Sequence, residues 1–284
     1  MKTRKAIELI QGRATSDGDG VKLLRVLGGQ GPERFDPFLL LDEFGSDEAS
    51  DYIGGFPPHP HRGFETITYM LQGKMEHRDH MDNVGLLADG GVQWMTAGRG
   101  VIHSEMPKQT EGMMRGFQLW LNLPSTKKLQ PARYEDVDPS AIPVFKLAQG
   151  EIKAIAGKAK ISDTQVSGYF DVPDTEALYF DVHLNAGEQI RIPVKSGFTA
   201  LVYAYENNID VGTDGTVLKA QSVLRLDTEG DVQVKNTSKH EARFLLLAGK
   251  PLKEQITQYG PFVMNTPEEI EQAITDYRAG VLTD

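Results

Sequence analysis

The stretch Gly54–Lys74, GGFPPHPHRGFETITYMLQGK, decides how this chain is read. Its second half, FETITYML (64–71), is an apolar run rich in β-branched and aromatic residues and is followed by Gly73, which is a strand signature. Its first half carries His59 and His61, set among Pro57, Pro58 and Pro60. On an extended backbone, residues two apart point to the same side, so the two imidazoles project together. The prolines stiffen the strand that holds them.

Similar runs recur outward from this stretch: KLLRVLG (22–28), VQWMTAG (92–98) and RGFQLWLNL (115–123), then IKAIAG (152–157), ALYFDVHL (177–184), GFTALVYAY (197–205), SVLRLD (222–227) and ARFLLLAG (242–249). Many short strands separated by Gly, Asp, Asn and Pro predict an all-β barrel or sandwich. Strands do not alternate with helices of similar length, which excludes a doubly wound α/β fold. The polar stretch LPSTKKLQPARYEDVDPSAIP (123–143) reads as the seam, with the boundary within 135–142. This gives an N-terminal domain over 1–136 and a C-terminal domain over 137–284, with comparable strand sets. One helix is expected, TPEEIEQAITDYRAG (266–280). Thr266 is its N-cap, Pro267 suits its first position, Glu269 completes a capping box and Gly280 ends it. Ile270, Ala273, Ile274 and Tyr277 fall on one face, which docks on a barrel.

The chain has 284 residues, 39% of them hydrophobic and 25% charged, the composition of a soluble globular protein. No run of about 18 apolar residues predicts a membrane span, and the start MKTRKAIELIQGRATSDG is not a secretory signal. The formal charge is −10, from 30 basic and 40 acidic residues, which disfavours direct nucleic-acid binding. There are no cysteines, so any metal site must use His and carboxylate. The expected location is cytoplasmic, or nuclear in a eukaryote, and the expected state is a monomer.

A second pair of ligand-type residues stands in TAGRGVIHSEMP (96–107), where His103 and Glu105 repeat the i, i+2 spacing. If the two strands lie close, three imidazoles and a carboxylate converge. That donor set suits divalent iron, nickel, copper, cobalt, manganese or zinc. Spacing alone does not choose between Glu65, four residues after His61, and Glu105 as the carboxylate. Glu65 can instead orient a ligand histidine. His77 and His80, in KMEHRDHMDNVG (74–85), read as a surface loop or pocket rim. His183 and His240 have no His-x-His partner, so the C-terminal domain is expected to hold no metal. Phe56, Trp94 and some of the many methionines are candidate walls of an apolar pocket beside the metal. Arg62 and Arg99 are expected to pair with acids.

Gly54, His59-Pro-His61, Glu65 and Gly73 resemble the first motif of the cupin superfamily; Gly91 to His103 sits where the second would be, without its usual proline. More closely, FPPHPHRGFETITYMLQG, VQWMTAGRGVIHSEMP, DPFLLLDEFG (36–45) and GPFVMNTPEEI (260–270) resemble the pirin family over nearly the whole chain. The resemblance implies a bicupin: two antiparallel cupin barrels or jelly rolls, with one metal, typically iron, in the N-terminal one. It also implies His59, His61, His103 and Glu105 as the ligands. Some pirins cleave quercetin, so it implies a quercetin 2,3-dioxygenase-like activity on a flavonol or similar enolic aromatic with dioxygen. Glu105 would then also be the base that takes the substrate proton. The alternative implied by other pirins is a redox-responsive regulator that binds a transcription factor or a metabolic enzyme.

Overall fold

In a computed structural model, which describes residues 2–29 and 31–284, the apolar runs fold as strands. FETITYML becomes Phe64–Gln72, RGFQLWLNL becomes Met114–Asn122, ALYFDVHL becomes Leu178–Leu184, and ARFLLLAG becomes Ala242–Gly249. Period-two alternation decides what each strand buries. In Leu178–Leu184, for example, Leu178, Phe180, Val182 and Leu184 all enter one core.

The chain forms two compact units, Arg13–Pro139 with Leu252–Asp284, and Met1–Gly12 with Ser140–Pro251. Each contains one seven-stranded and one four-stranded antiparallel sheet, so the expectation of two similar all-β halves holds. The sheets do not close into hydrogen-bonded barrels; in each unit the two ladders stay separate, which corrects that part of the expectation. In the unit built on Ser140–Pro251, residues from both sheets, such as Phe180 and Val202 from one and Ile190 and Val234 from the other, meet in a shared core.

The division passes between Pro139 and Ser140, and a single cut there does not separate the units, because Met1–Gly12 groups with Ser140–Pro251 and Leu252–Asp284 with Arg13–Pro139. Ala6–Gln11 pairs with Ser222–Leu226. Just before it, the Arg4 guanidinium is 1% exposed and donates to the carbonyls of Gly230, Phe198, Asp227 and Lys195. A buried guanidinium needs such acceptors, and this set ties the N-terminus to the second half of the sequence.

At the other end, the helix Pro267–Ala279 packs against the hairpin Thr257–Tyr259/Phe262–Met264. It starts with the expected capping box between Thr266 and Glu269 and stops at left-handed Gly280. Ile270 and Ala273 are buried with Phe262, Met264 and Leu282. Arg62 donates to Asp276 Oδ2 at 2.6 Å, to the Leu282 carbonyl at 3.0 Å and to the Arg99 carbonyl, so it pairs with an acid as expected. Among the described residues no helix is long and apolar enough to cross a membrane.

The turn after the histidines is tight. Gly63 has φ +91°, and a Cβ there would lie 2.1 Å from the Val263 carbonyl oxygen. Both the backbone conformation and the contact exclude a side chain. Gly63→Ala is expected to lower stability by about 2–3 kcal/mol, measured by chemical denaturation.

Candidate metal centre

Four strands carry the site in the order Phe56–His61, Val101–Pro107, Met75–Asp79, Val84–Leu87. His59 lies directly opposite His103, and His103 opposite Asp79. A register shift separates His103 from Glu105 against the His59 strand, whereas Glu105 stays in register opposite His77. His59, His61, His103, Glu105 and His77 therefore share one face of this sheet.

His59, His61 and His103 each bring one ring nitrogen into a group whose atoms all lie within 4.8 Å of one another. The ring centroids are 4.4–4.9 Å apart. The outer nitrogens fix the tautomers. His59 Nδ1 meets the Pro57 carbonyl at 2.8 Å, and His61 Nδ1 meets the Pro261 carbonyl at 3.4 Å. A carbonyl only accepts, so Nδ1 is the protonated nitrogen of each ring, and in the uncharged form of that tautomer Nε2 is bare. These two Nε2 atoms are 3.0 Å apart. Two bare acceptors at that distance repel unless a cation sits between or beside them. His103 Nε2 is buried and has no hydrogen-bond partner. Burial pushes the pKa of His61 and His103 well below the ordinary histidine value, and the neighbouring imidazoles act in the same direction. Neutral rings with converging lone pairs are what a borderline divalent metal requires, so these residues fit such an ion.

The carboxylate question is sharpened by strand faces. Glu105 is 2% exposed and accepts from Thr68 Oγ1 at 3.1 Å and from Gln118 Nε2 at 3.1 and 3.2 Å. Its oxygens stand outside the three-imidazole group, although it shares the histidines' face. Glu65 lies on Phe64–Gln72, where Phe64 and Thr68 face the site. Being odd-numbered, Glu65 faces the other side of that strand. It accepts from Thr96 Oγ1 at 2.7 Å, which is paired with it across the ladder.

A cavity of about 1060 Å³ opens beside His59 and His61. Leu23, Leu40, Phe44, Phe56, Met75 and Trp120 give it apolar walls, and Gln118 and the Arg25–Asp42 pair give it polar points. Arg25 grips Asp42 with two bonds of 2.8 and 3.0 Å. Phe56 and Met75 are walls as expected, but Trp94 is not. It pairs opposite Ile67, on the far face of the seven-stranded sheet. The tryptophan of the cavity is Trp120, whose indole N–H donates to Gln118 Oε1 at 3.3 Å. Its alternation with Gln118 along RGFQLWLNL was the available signal.

His77 also departs from expectation. It is fully buried on a strand, not in a surface loop, and its Nδ1 lies 3.3 Å from His103 Nδ1. His80 lies in the turn beyond, where Ile102 N donates to its Nδ1 at 3.4 Å. In the other unit, His183 Nε2 meets Asp181 Oδ2 at 3.2 Å.

The Pirin family model matches residues 20–121, and the Pirin C-terminal cupin domain model matches residues 179–283. A protein of Pseudomonas aeruginosa, provisionally named a quercetin 2,3-dioxygenase, is 52% identical over 98% of each chain. The chain belongs to the pirin family. The pirin of Homo sapiens is 38% identical, over 97% of this chain and 93% of that one. The crystal structure of a quercetin 2,3-dioxygenase from Acinetobacter baumannii superposes with a TM-score of 0.89, at 32% identity and 99% coverage of both chains. The pirin match over residues 20–121 spans all three histidines, Glu105, His77 and Trp120.

Proposed function

We propose that this pirin is a metal-dependent oxygenase of the quercetin 2,3-dioxygenase type, acting on a flavonol or a similar enolic aromatic. The observation that carries the reading is the convergence of three imidazole nitrogens, two of whose rings, His59 and His61, line a cavity with apolar walls. Relatives named for quercetin 2,3-dioxygenase activity support the same reaction class. In this reading His59, His61, His103 and Glu105 hold one divalent ion, iron(II) being the fitting choice for oxygen chemistry. The ion supplies Lewis acidity toward a chelating hydroxyl and redox chemistry toward dioxygen.

The residues of the chain supply the rest. Phe44, Phe56 and Trp120 enclose a planar ring and exclude water. Gln118 and the Arg25–Asp42 pair offer hydrogen bonds that orient its hydroxyl groups. Glu105 takes the proton of the reacting hydroxyl, at its carboxylate oxygen. Thr68 and Gln118 hold that carboxylate between its two tasks of ligand and base.

The test is metal content and oxygen uptake with quercetin, on protein purified without air as wild type, Glu105→Gln and Glu65→Gln. The wild type is expected to hold near-stoichiometric metal and to consume oxygen only when loaded. Glu105→Gln is expected to lose at least about tenfold in metal affinity, and Glu65→Gln to retain its metal. Loaded wild type that consumes no oxygen with any flavonol removes the oxygenase reading.

A further inference from the structure

We propose that His77 and Asp79 are positioning residues behind the metal triad: they fix the tautomer of His103 so that its Nε2 is bare for the ion. The proposal rests on the metal reading above and concerns residues that do not touch the cavity.

The wiring runs through three buried side chains. His103 Nδ1 lies 3.3 Å from His77 Nδ1, and His77 Nε2 lies 3.5 Å from Asp79 Oδ2. Both His77 and Asp79 have fully buried side chains. Asp79 is itself held from its own turn. Its Oδ1 accepts from Met81 N at 2.9 Å and Asn83 N at 3.1 Å, and its Oδ2 accepts from the Asn83 side chain at 2.8 Å. The Tyr134 ring stacks on His77 with centroids 4.2 Å apart and planes 21° apart, which fixes the imidazole plane.

A neutral imidazole carries one N–H, so two neutral rings that meet through Nδ1 share one proton at that contact. Suppose the proton belonged to His77. Then His77 Nε2 would be a bare acceptor facing a carboxylate, and His103 Nε2 would carry a buried N–H. No acceptor is there, because that atom has no partner. In the opposite arrangement His103 Nδ1–H donates to His77 Nδ1, and His77 Nε2–H donates to Asp79. Every buried proton then has an acceptor, and His103 Nε2 points its lone pair at the triad. His59 and His61 reach the same state through the Pro57 and Pro261 carbonyls. The third ligand has no carbonyl at its outer nitrogen, and a second histidine anchored on a carboxylate takes that place.

Two variants separate this role from mere packing. His77→Phe keeps a ring against Tyr134 and removes the acceptor. Asp79→Asn keeps the shape. With its oxygen on the two backbone N–H groups and the Asn83 amide turned to present its own oxygen, its amide N–H₂ faces His77 Nε2 and reverses every proton in the chain. Cobalt(II) affinity is measured by competition with a chromophoric chelator. The His103 tautomer is read in metal-free protein by long-range ¹H–¹⁵N NMR. The wild type is expected to show the Nδ1–H form at His103. Both variants are expected to weaken cobalt binding about 10–100-fold, with Asp79→Asn shifting His103 to the Nε2–H form. Wild-type affinity and an unchanged His103 tautomer in either folded variant overturn the relay. Wild-type protein that binds no cobalt overturns the metal reading and the relay with it, whereas binding unaffected by either substitution overturns the relay alone.

Discussion

Replacing His103 by alanine is expected to weaken metal binding by about two to three orders of magnitude. Four-ligand structural sites for zinc are worth about 10–16 kcal/mol, so one ligand carries about 2.5–4 kcal/mol, and each 1.4 kcal/mol is tenfold. His103 is the central strand's contribution: it stands opposite His59 in one ladder and Asp79 in the other. No neighbour can replace it, because His77 turns its Nδ1 toward His103 and its Nε2 toward Asp79. The substitution also leaves His77 Nδ1 without a partner, a loss of about 1–3 kcal/mol in the metal-free fold. Anaerobic metal analysis beside a chelator titration measures the first effect, and denaturation of metal-free protein measures the second. His183→Ala, in the other unit, is the control and is expected to bind metal as the wild type does. Full metal occupancy and unchanged affinity in His103→Ala would refute the site.

Much of this site was legible because strand periodicity is simple. His59/His61 and His103/Glu105 each needed only the rule that residues two apart share a face. The same rule, applied with the register in hand, puts Glu105 on the histidines' face and Glu65 on the opposite face of its strand. The sequence does not state the register, so both carboxylates stayed open on spacing. His77 was misread for a related reason. EHRDH is polar and follows Gly73, which suggests a loop, yet its alternation places His77 and Asp79 inward and Arg78 outward, where it pairs with exposed-side Glu76. A strand lined inward by polar groups buries them only because they satisfy one another, and that pairing is invisible until the neighbours are known.

The exchange of chain ends was illegible for a different reason. The strand set is readable from the apolar runs and the turn residues between them. Nothing in AIELIQ (6–11) says that it pairs with residues more than two hundred positions away. Its exposed Ile7 and Leu9 and its alternating burial describe an edge strand that suits either half. The decisive group is Arg4, whose four carbonyl partners all lie within Lys195–Gly230. At the other end, the helix caps were fully readable since capping is local, whereas the packing partner of Ile270 and Ala273 was not.

Lys128→Met is expected to be the most destabilising of the single substitutions considered, by about 3–5 kcal/mol near neutral pH. The ammonium group is 1% exposed and donates to the Gly63 carbonyl at 2.7 Å, Asn122 Oδ1 at 2.7 Å and the Val263 carbonyl at 3.0 Å. It thus joins the turn after His59 and His61 to the C-terminal hairpin. Methionine fills the space but leaves three buried acceptors unpaired. The wild-type interaction has a pH signature of its own. Burial pushes the Lys128 pKa from 10.5 down to about 8, against the opposing pull of Glu254, Glu269 and Asp36. Between those two values the unfolded chain binds a proton that the folded chain has released. The contribution of this lysine to stability therefore rises as pH increases from about 8 to 10.5, by up to about 3 kcal/mol. Below pH 8 both states are protonated and the slope vanishes. Urea denaturation of wild type and Lys128→Met at pH 7.5 and pH 10 checks both statements. The gap between the two proteins is expected to be wider at pH 10. A gap that stays constant or narrows would mean that the amine is not held in its desolvated site.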